Sequence, residues 1–145
     1  MVSKKVMNIV ILVAIVAVAI GALIYLVYPS SEPIPISEAL ISISVSDQAV
    51  EDGAVMIEVL FLDKPGYAVI HKVTEEGKPG MVIGNSGLLN GLNQNVPVTI
   101  TDFSGETELI AMLHYDDGDG TYQFPGPDGP TILDGQIVLT KFKIT

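Results

Sequence analysis

The chain has 145 residues, no cysteine and no tryptophan, and its 17 acidic residues outnumber 7 basic ones for a formal net charge of −10. Without thiols, structural disulfides, thiolate zinc sites, blue-copper sites and cysteine nucleophiles are all excluded. Every basic residue is a lysine and the surface is strongly acidic, so nucleic acid, whose phosphates demand clustered Lys or Arg, is a poor partner; cations or a cationic surface suit it better.

In chain order, Lys4 and Lys5 precede an uncharged stretch, residues 6–28, VMNIVILVAIVAVAIGALIYLVY, whose one strongly polar side chain is Asn8. As a helix it would be about 34 Å long, enough to cross a bilayer core with slight tilt. The two lysines place residues 1–5 in the cytoplasm by the positive-inside rule, and Tyr25 and Tyr28 stand where an outer aromatic belt would lie. Two alternatives compete with an uncleaved anchor. The A-x-A sequence Ala17-Val18-Ala19 could end a signal peptide, but apolar residues run on to Tyr28, which is wrong for a cleavage region. A pilin-like assembly helix has the same layout, but Lys5 is followed by Val6 and not by the usual Gly or Ala. Residues 29–37, PSSEPIPIS, hold three prolines and predict an extended polyproline II stalk of roughly 25 Å.

From residue 38 onward the apolar period becomes two. Ile41, Ile43 and Val45 alternate with serines. In residues 54–62, AVMIEVLFL, Val55, Ile57, Val59 and Phe61 share a face, while the other is largely apolar too, as in a central, doubly covered strand. Lys64-Pro65-Gly66 reads as a turn, making 67–73 the second arm of a hairpin. Residues 81–84 are a short strand, 85–95 are irregular, and 96–103 are a strand that Pro97 demotes to an edge or a bulge. Residues 108–115 and 136–144 supply the last strands. About seven short strands separated by turn signals predict an all-β, immunoglobulin-like β-sandwich over residues 38–145, behind one N-terminal transmembrane helix.

Several short motifs recur in a specific order: Asp47-Gln48, PGYAVIH (65–71), PGMVIGNSGLL (79–89) and AMLHYD (111–116) with its Asp/Gly loop. Over about residues 40–145 the chain resembles a family of uncharacterised domains in archaeal cell-surface proteins. The resemblance implies an exported, envelope-attached β-domain. It implies no catalytic residue, because the family offers none.

The candidate chemistry lies in two places. The loop 116–135 carries Asp116, Asp117, Asp119, Asp128 and Asp134 among glycines. Calcium wants six to eight hard oxygen ligands, and glycines let the chain curl round the ion. The loop is not an EF-hand, and a solvated turn is the plainer reading. His71 and His114 are the two histidines; each closes a predicted strand, and with a carboxylate or Met112 they could hold copper or zinc. Semi-buried histidines donating to carbonyls are the plainer reading here too. GNSG (84–87) looks superficially like a serine-protease nucleophile loop, but the domain is too small for a double barrel and His71 lies too close in sequence. No hydrolase elbow, P-loop or favoured carboxylate pair is present. Tyr67, Tyr115, Tyr122, Phe103 and Phe124 could line a sugar platform, or be core and rim. The expected protein is therefore no enzyme and needs no cofactor, with calcium the leading exception. It is a single-pass protein of the cell membrane, N-terminus cytoplasmic and C-terminal domain outside, held in the lipid bilayer by residues 6–28. Its β-sandwich is a structural or interaction module for other envelope proteins or glycans.

Overall fold

A computed structural model describes residues 40–145. The expected cytoplasmic tip (1–5), anchor or pilin-type helix (6–28) and stalk (29–37) lie outside the described residues. All named elements are strands: β1 (Ser42–Ser44), β2 (Ala54–Val73), β3 (Pro79–Asn85), β4 (Leu89–Thr99), β5 (Glu108–Tyr115), β6 (Ile132–Leu133), β7 (Gln136–Ile137) and β8 (Leu139–Lys143). The all-β class expected from the period-two patterning is what the described residues adopt.

The long strand β2 organises the rest. Twenty extended residues would reach about 66 Å, so β2 must bend to stay within so short a chain. Its first half lies between β1 and β4, with Leu60 opposite both Ile43 and Asn93. Its second half lies between β3 and β5, and β5 pairs onward with β8. The sheet curls because the segment after β1 crosses to β8: the Gln48 amide donates to the Lys143 carbonyl and the Thr145 amide to the Gln48 carbonyl. At the opposite margin the Thr101 amide donates to the Ile83 carbonyl, bringing β3 to the end of β4. The enclosed core draws on Leu60, Leu62 and Ile70 of β2, Leu109 and Leu113 of β5, and Phe142 of β8.

The expected hairpin at Lys64-Pro65-Gly66 is not formed, and β2 runs straight through it. Residues 63–65 are exposed and fall between the last β4 pair at Leu62 and the next at Gly66. Pro65 lacks an N–H and here owes none to a ladder, so the Pro-Gly pair redirects the strand without reversing it. The bend is tied to the end of β5. The Tyr115 hydroxyl donates to Asp63 Oδ1 at 2.8 Å, Lys64 Nζ stands 4.1 Å over the Tyr115 ring, and the Asp116 amide donates to the Pro65 carbonyl.

Three further expectations are corrected. The covered face of β2 changes between Ile57 and Leu60, where the ladder to β4 skips Glu58 and Asn95 takes a positive φ of 52°, so Leu60 and Leu62 are buried and Val59 and Phe61 are only half-buried. A local irregularity of this kind turns the other face inward, and the doubly covered stretch is residues 66–71, not 54–62. Residues 89–95 belong to a strand, though Gly91 and Asn95 in it take positive φ (67° and 52°): β4 extends from Leu89 and ends at Thr99, and 100–107 form the loop. Pro97 fits because β4 pairs with β2 alone and is an edge strand. The expected 136–144 strand is split at Val138. Asp134 and Gly135, both at positive φ (50° and 79°), make the tight turn between β6 and β7.

Candidate functional site

The second half of β2 and β5 form an antiparallel ladder in which Tyr67 faces His114, Val69 faces Met112 and His71 faces Ile110. Alternation puts these six side chains on one face, opposite Ala68, Ile70, Leu109, Ala111 and Leu113, which belong to the main core. A face turned away from the core would ordinarily be wet. Here all six residues are buried, and residues 116–131 fold back over Tyr67, His71 and His114.

That covering segment is held by its own aspartates. Asp128 is fully buried; its Oδ1 accepts the Asp117 amide at 3.0 Å and its Oδ2 the Gln123 amide at 2.6 Å. Asp116 accepts the Gly118 and Gly120 amides, each at 3.0 Å, and the Tyr67 hydroxyl at 3.0 Å. Asp119 accepts the Thr121 amide at 2.7 Å and the Gln123 side-chain amide at 2.7 Å. The far end of the segment is tied back to β5, with the Tyr115 amide donating to the Gly129 carbonyl and the Thr131 amide to the Leu113 carbonyl. Of the calcium candidates, Asp116, Asp117 and Asp128 each bring a carboxylate oxygen within 4.8 Å of the others. Asp119 stands outside that group, and Asp134 belongs to the β6–β7 turn.

The two histidines come together under this cover. Their ring centroids are 5.6 Å apart with the planes at 31°, and His71 and His114 are 2% and 0% exposed. Phe124 packs edge-on to both, 4.9 Å from His114 and 6.2 Å from His71, and Tyr122 lies 5.8 Å from His114. Each histidine is held by one nitrogen: Nδ1 of His71 donates to the Gly80 carbonyl at 2.9 Å, and Nδ1 of His114 to the Asp128 carbonyl at 2.8 Å. A carbonyl only accepts, so these bonds put the proton on Nδ1 and leave a lone pair on Nε2. Both Nε2 atoms are buried without a partner, as is the Tyr122 hydroxyl. Burial holds both imidazoles below the ordinary range; the Gly80 carbonyl opposes this at His71, as the Asp128 carbonyl does at His114. Burial thus favours the neutral form of both rings.

The remaining sequence candidates have structural work. Ser86 Oγ accepts the Ala68 amide at 2.9 Å and donates to the Gly87 carbonyl at 2.8 Å, so the GNSG hydroxyl fastens β3 to β2. Of the aromatic residues considered for a sugar platform, Tyr67 is buried, Phe103 sits in the 100–107 loop, and Phe124 belongs to the histidine cover. They make no common exposed face. The Asp47-Gln48 pair, which local patterning leaves unexplained, stitches strands together. Asp47 Oδ1 accepts the Lys143 amide at 2.7 Å, and the Gln48 side chain bonds both the amide and the carbonyl of Met56.

Residues 41–145 match a family described as a domain of unknown function, DUF7282. The chain belongs to this family. Its DUF7282 domain is similar to parts of cell surface glycoprotein 2 and cell surface glycoprotein 1 of Haloarcula hispanica, at 31% and 30% identity over 107 residues each. Each match covers 72% of this chain and 11% of the relative, so the chain spans about a tenth of the length of the curated relatives it matches. No solved structure matches. The resemblance to an uncharacterised domain of archaeal cell-surface proteins holds. The motifs that carry it now have physical roles in the DUF7282 fold: Asp47-Gln48 as strand stitch, Pro65-Gly66 as bend, Gly80 as the carbonyl behind His71, and His114 to Asp116 as the start of the cover.

Proposed function

We propose that this chain is a single-pass membrane protein displaying its DUF7282 domain, a β-sandwich over residues 38–145, outside the cell as a non-catalytic structural or interaction module. The observation that carries this reading is the match to about a tenth of each of two much longer cell surface glycoproteins. A unit used that way is a portable surface module, and in this chain it follows an uncharged apolar segment and a proline-rich stalk. Residues 6–28 serve as the lipid anchor, with Lys4 and Lys5 on the cytoplasmic side. The two layers of the sandwich are the halves of β2 with their partners, joined at the bend. The non-catalytic role is supported by how the polar groups are used. The Ser86 hydroxyl is tied to backbone on both sides, and the Asp116, Asp119 and Asp128 carboxylates accept amides of their own loop. Its partners are other envelope proteins or glycans.

The natural chain has no cysteine, so a single introduced thiol reports its own location. Gly87→Cys is suitable outside, since a Cβ there meets nothing within 4 Å; Ser3→Cys reports the N-terminal tip. With a membrane-impermeant maleimide on intact cells, Gly87→Cys should label at once and Ser3→Cys only after lysis. The reverse pattern, or protection of both, would overturn the topology.

A further inference from the structure

We propose that the covered face of β2 and β5 is a copper(I) site, with Nε2 of His71 and Nε2 of His114 as the ligating pair and Met112 as a soft third donor. A buried polar atom without a partner calls for an explanation. This domain has two on adjacent rings, both imidazole nitrogens carrying a free lone pair. Metal–nitrogen bonds of about 2.0 Å place two ligating nitrogens roughly 4 Å apart at most. Rings with centroids 5.6 Å apart can meet that requirement. The other nitrogen of each ring donates to a backbone carbonyl, the outer-shell arrangement that fixes the tautomer and orientation of a metal-binding histidine. Met112 is buried on the same face, and its pair with Val69 lies between the two histidines in the ladder.

The donor set decides which ion. Calcium and magnesium take oxygen ligands, and both oxygens of the adjacent Asp128 carboxylate already accept loop amides. Zinc is ordinarily four-coordinate, with anionic donors common in its shell. Two neutral imidazoles and a thioether among Tyr122 and Phe124 leave a double charge uncompensated in an apolar setting, which is costly. A singly charged soft ion loses less on leaving water, and thioether donors select copper(I). Phe124 packs against both histidines and is 40% exposed, so the pair lies one aromatic ring below the surface and an ion has a short way in.

The test uses the full-length protein in detergent micelles under anaerobic conditions with ascorbate, titrating copper(I) in competition with the chromogenic chelator bicinchoninate. No thiol competes for the metal. One copper per chain should be withdrawn from the chelator, and His71→Ala and His114→Ala should each weaken binding roughly tenfold or more. Met112→Leu, which nearly conserves volume and keeps the fold, should remove the sulfur scattering shell from the X-ray absorption spectrum of bound copper while both nitrogens stay. No copper withdrawn by the native chain would leave the pair to an ordered water and overturn the proposal. Copper retained undiminished by the double histidine variant would overturn it as well. Zinc bound as tightly through the same two residues would overturn the copper(I) assignment.

Discussion

Asp128 shows how one side chain can hold a whole segment. Its buried carboxylate accepts two amides from residues 117 and 123, and its own carbonyl orients His114. Asp128→Ala would strand two amide donors under the cover and should cost about 2 to 4 kcal/mol, read from urea denaturation. Asp128→Asn keeps one acceptor oxygen and should fall between. Near-UV dichroism should weaken in the alanine variant as Tyr122 and Phe124 lose their fixed surroundings. The tyrosines make a second residue-scale prediction. Burial first, and then the Asp116 and Asp63 carboxylates, push Tyr67 and Tyr115 up to about 12 from the ordinary 10.0. Between those values the folded state binds more protons than the unfolded one, so this contribution is intact below pH 10 and is lost as pH rises toward 12. Tyrosinate absorbance from the domain should therefore appear together with loss of β dichroism. Ionisation near the ordinary value with the fold intact would contradict the burial argument. Asp128 was legible in the sequence as a ligand candidate. That its oxygens turn to amides was not, because an aspartate reads the same whether it meets an amide or an ion.

At the scale of elements, β2 is where local signals and the final strand disagree. Pro65-Gly66 carries strong turn chemistry, but a turn needs only those residues, whereas a bend also needs partners on both halves of a long strand. β4 and β5 supply them, and Gly66 is where they meet. A Cβ on Gly66 would collide with the His114 backbone carbonyl, which cannot withdraw without disturbing the Gly66–Tyr115 pair. Gly66→Ala should therefore destabilise the domain by about 1 to 3 kcal/mol in urea. Gly87→Ala, whose Cβ meets nothing within 4 Å, should stay within about 0.5 kcal/mol. Equal effects would mean that close packing at the bend is not what excludes a side chain. β5 was legible to the residue, from Glu108 to Tyr115, because it is apolar on both faces and bounded by polar loops.

For the whole molecule, the acidic composition raises the matter of calcium. The Asp116, Asp117 and Asp128 group is satisfied by the segment's own amides, so the cover is folded by those bonds. A melt of the full-length protein in EDTA and then in millimolar calcium should show the same melting temperature. A clear rise would mean that an ion binds the native state and stabilises it by mass action.

The sequence by itself determined that this protein has no thiols, carries an acidic surface and builds residues 40–145 from strands, because charge and residue type are counted along the chain and period-two alternation is a property of neighbours in it. Tertiary structure alone decided that β2 is one strand, that residues 116–131 cover the outer face of β5, and that His71 and His114 face each other beneath Phe124. Those features depend on register and on contacts between residues far apart in sequence. Local alternation assigns a side chain to a face and does not say what lies across from it.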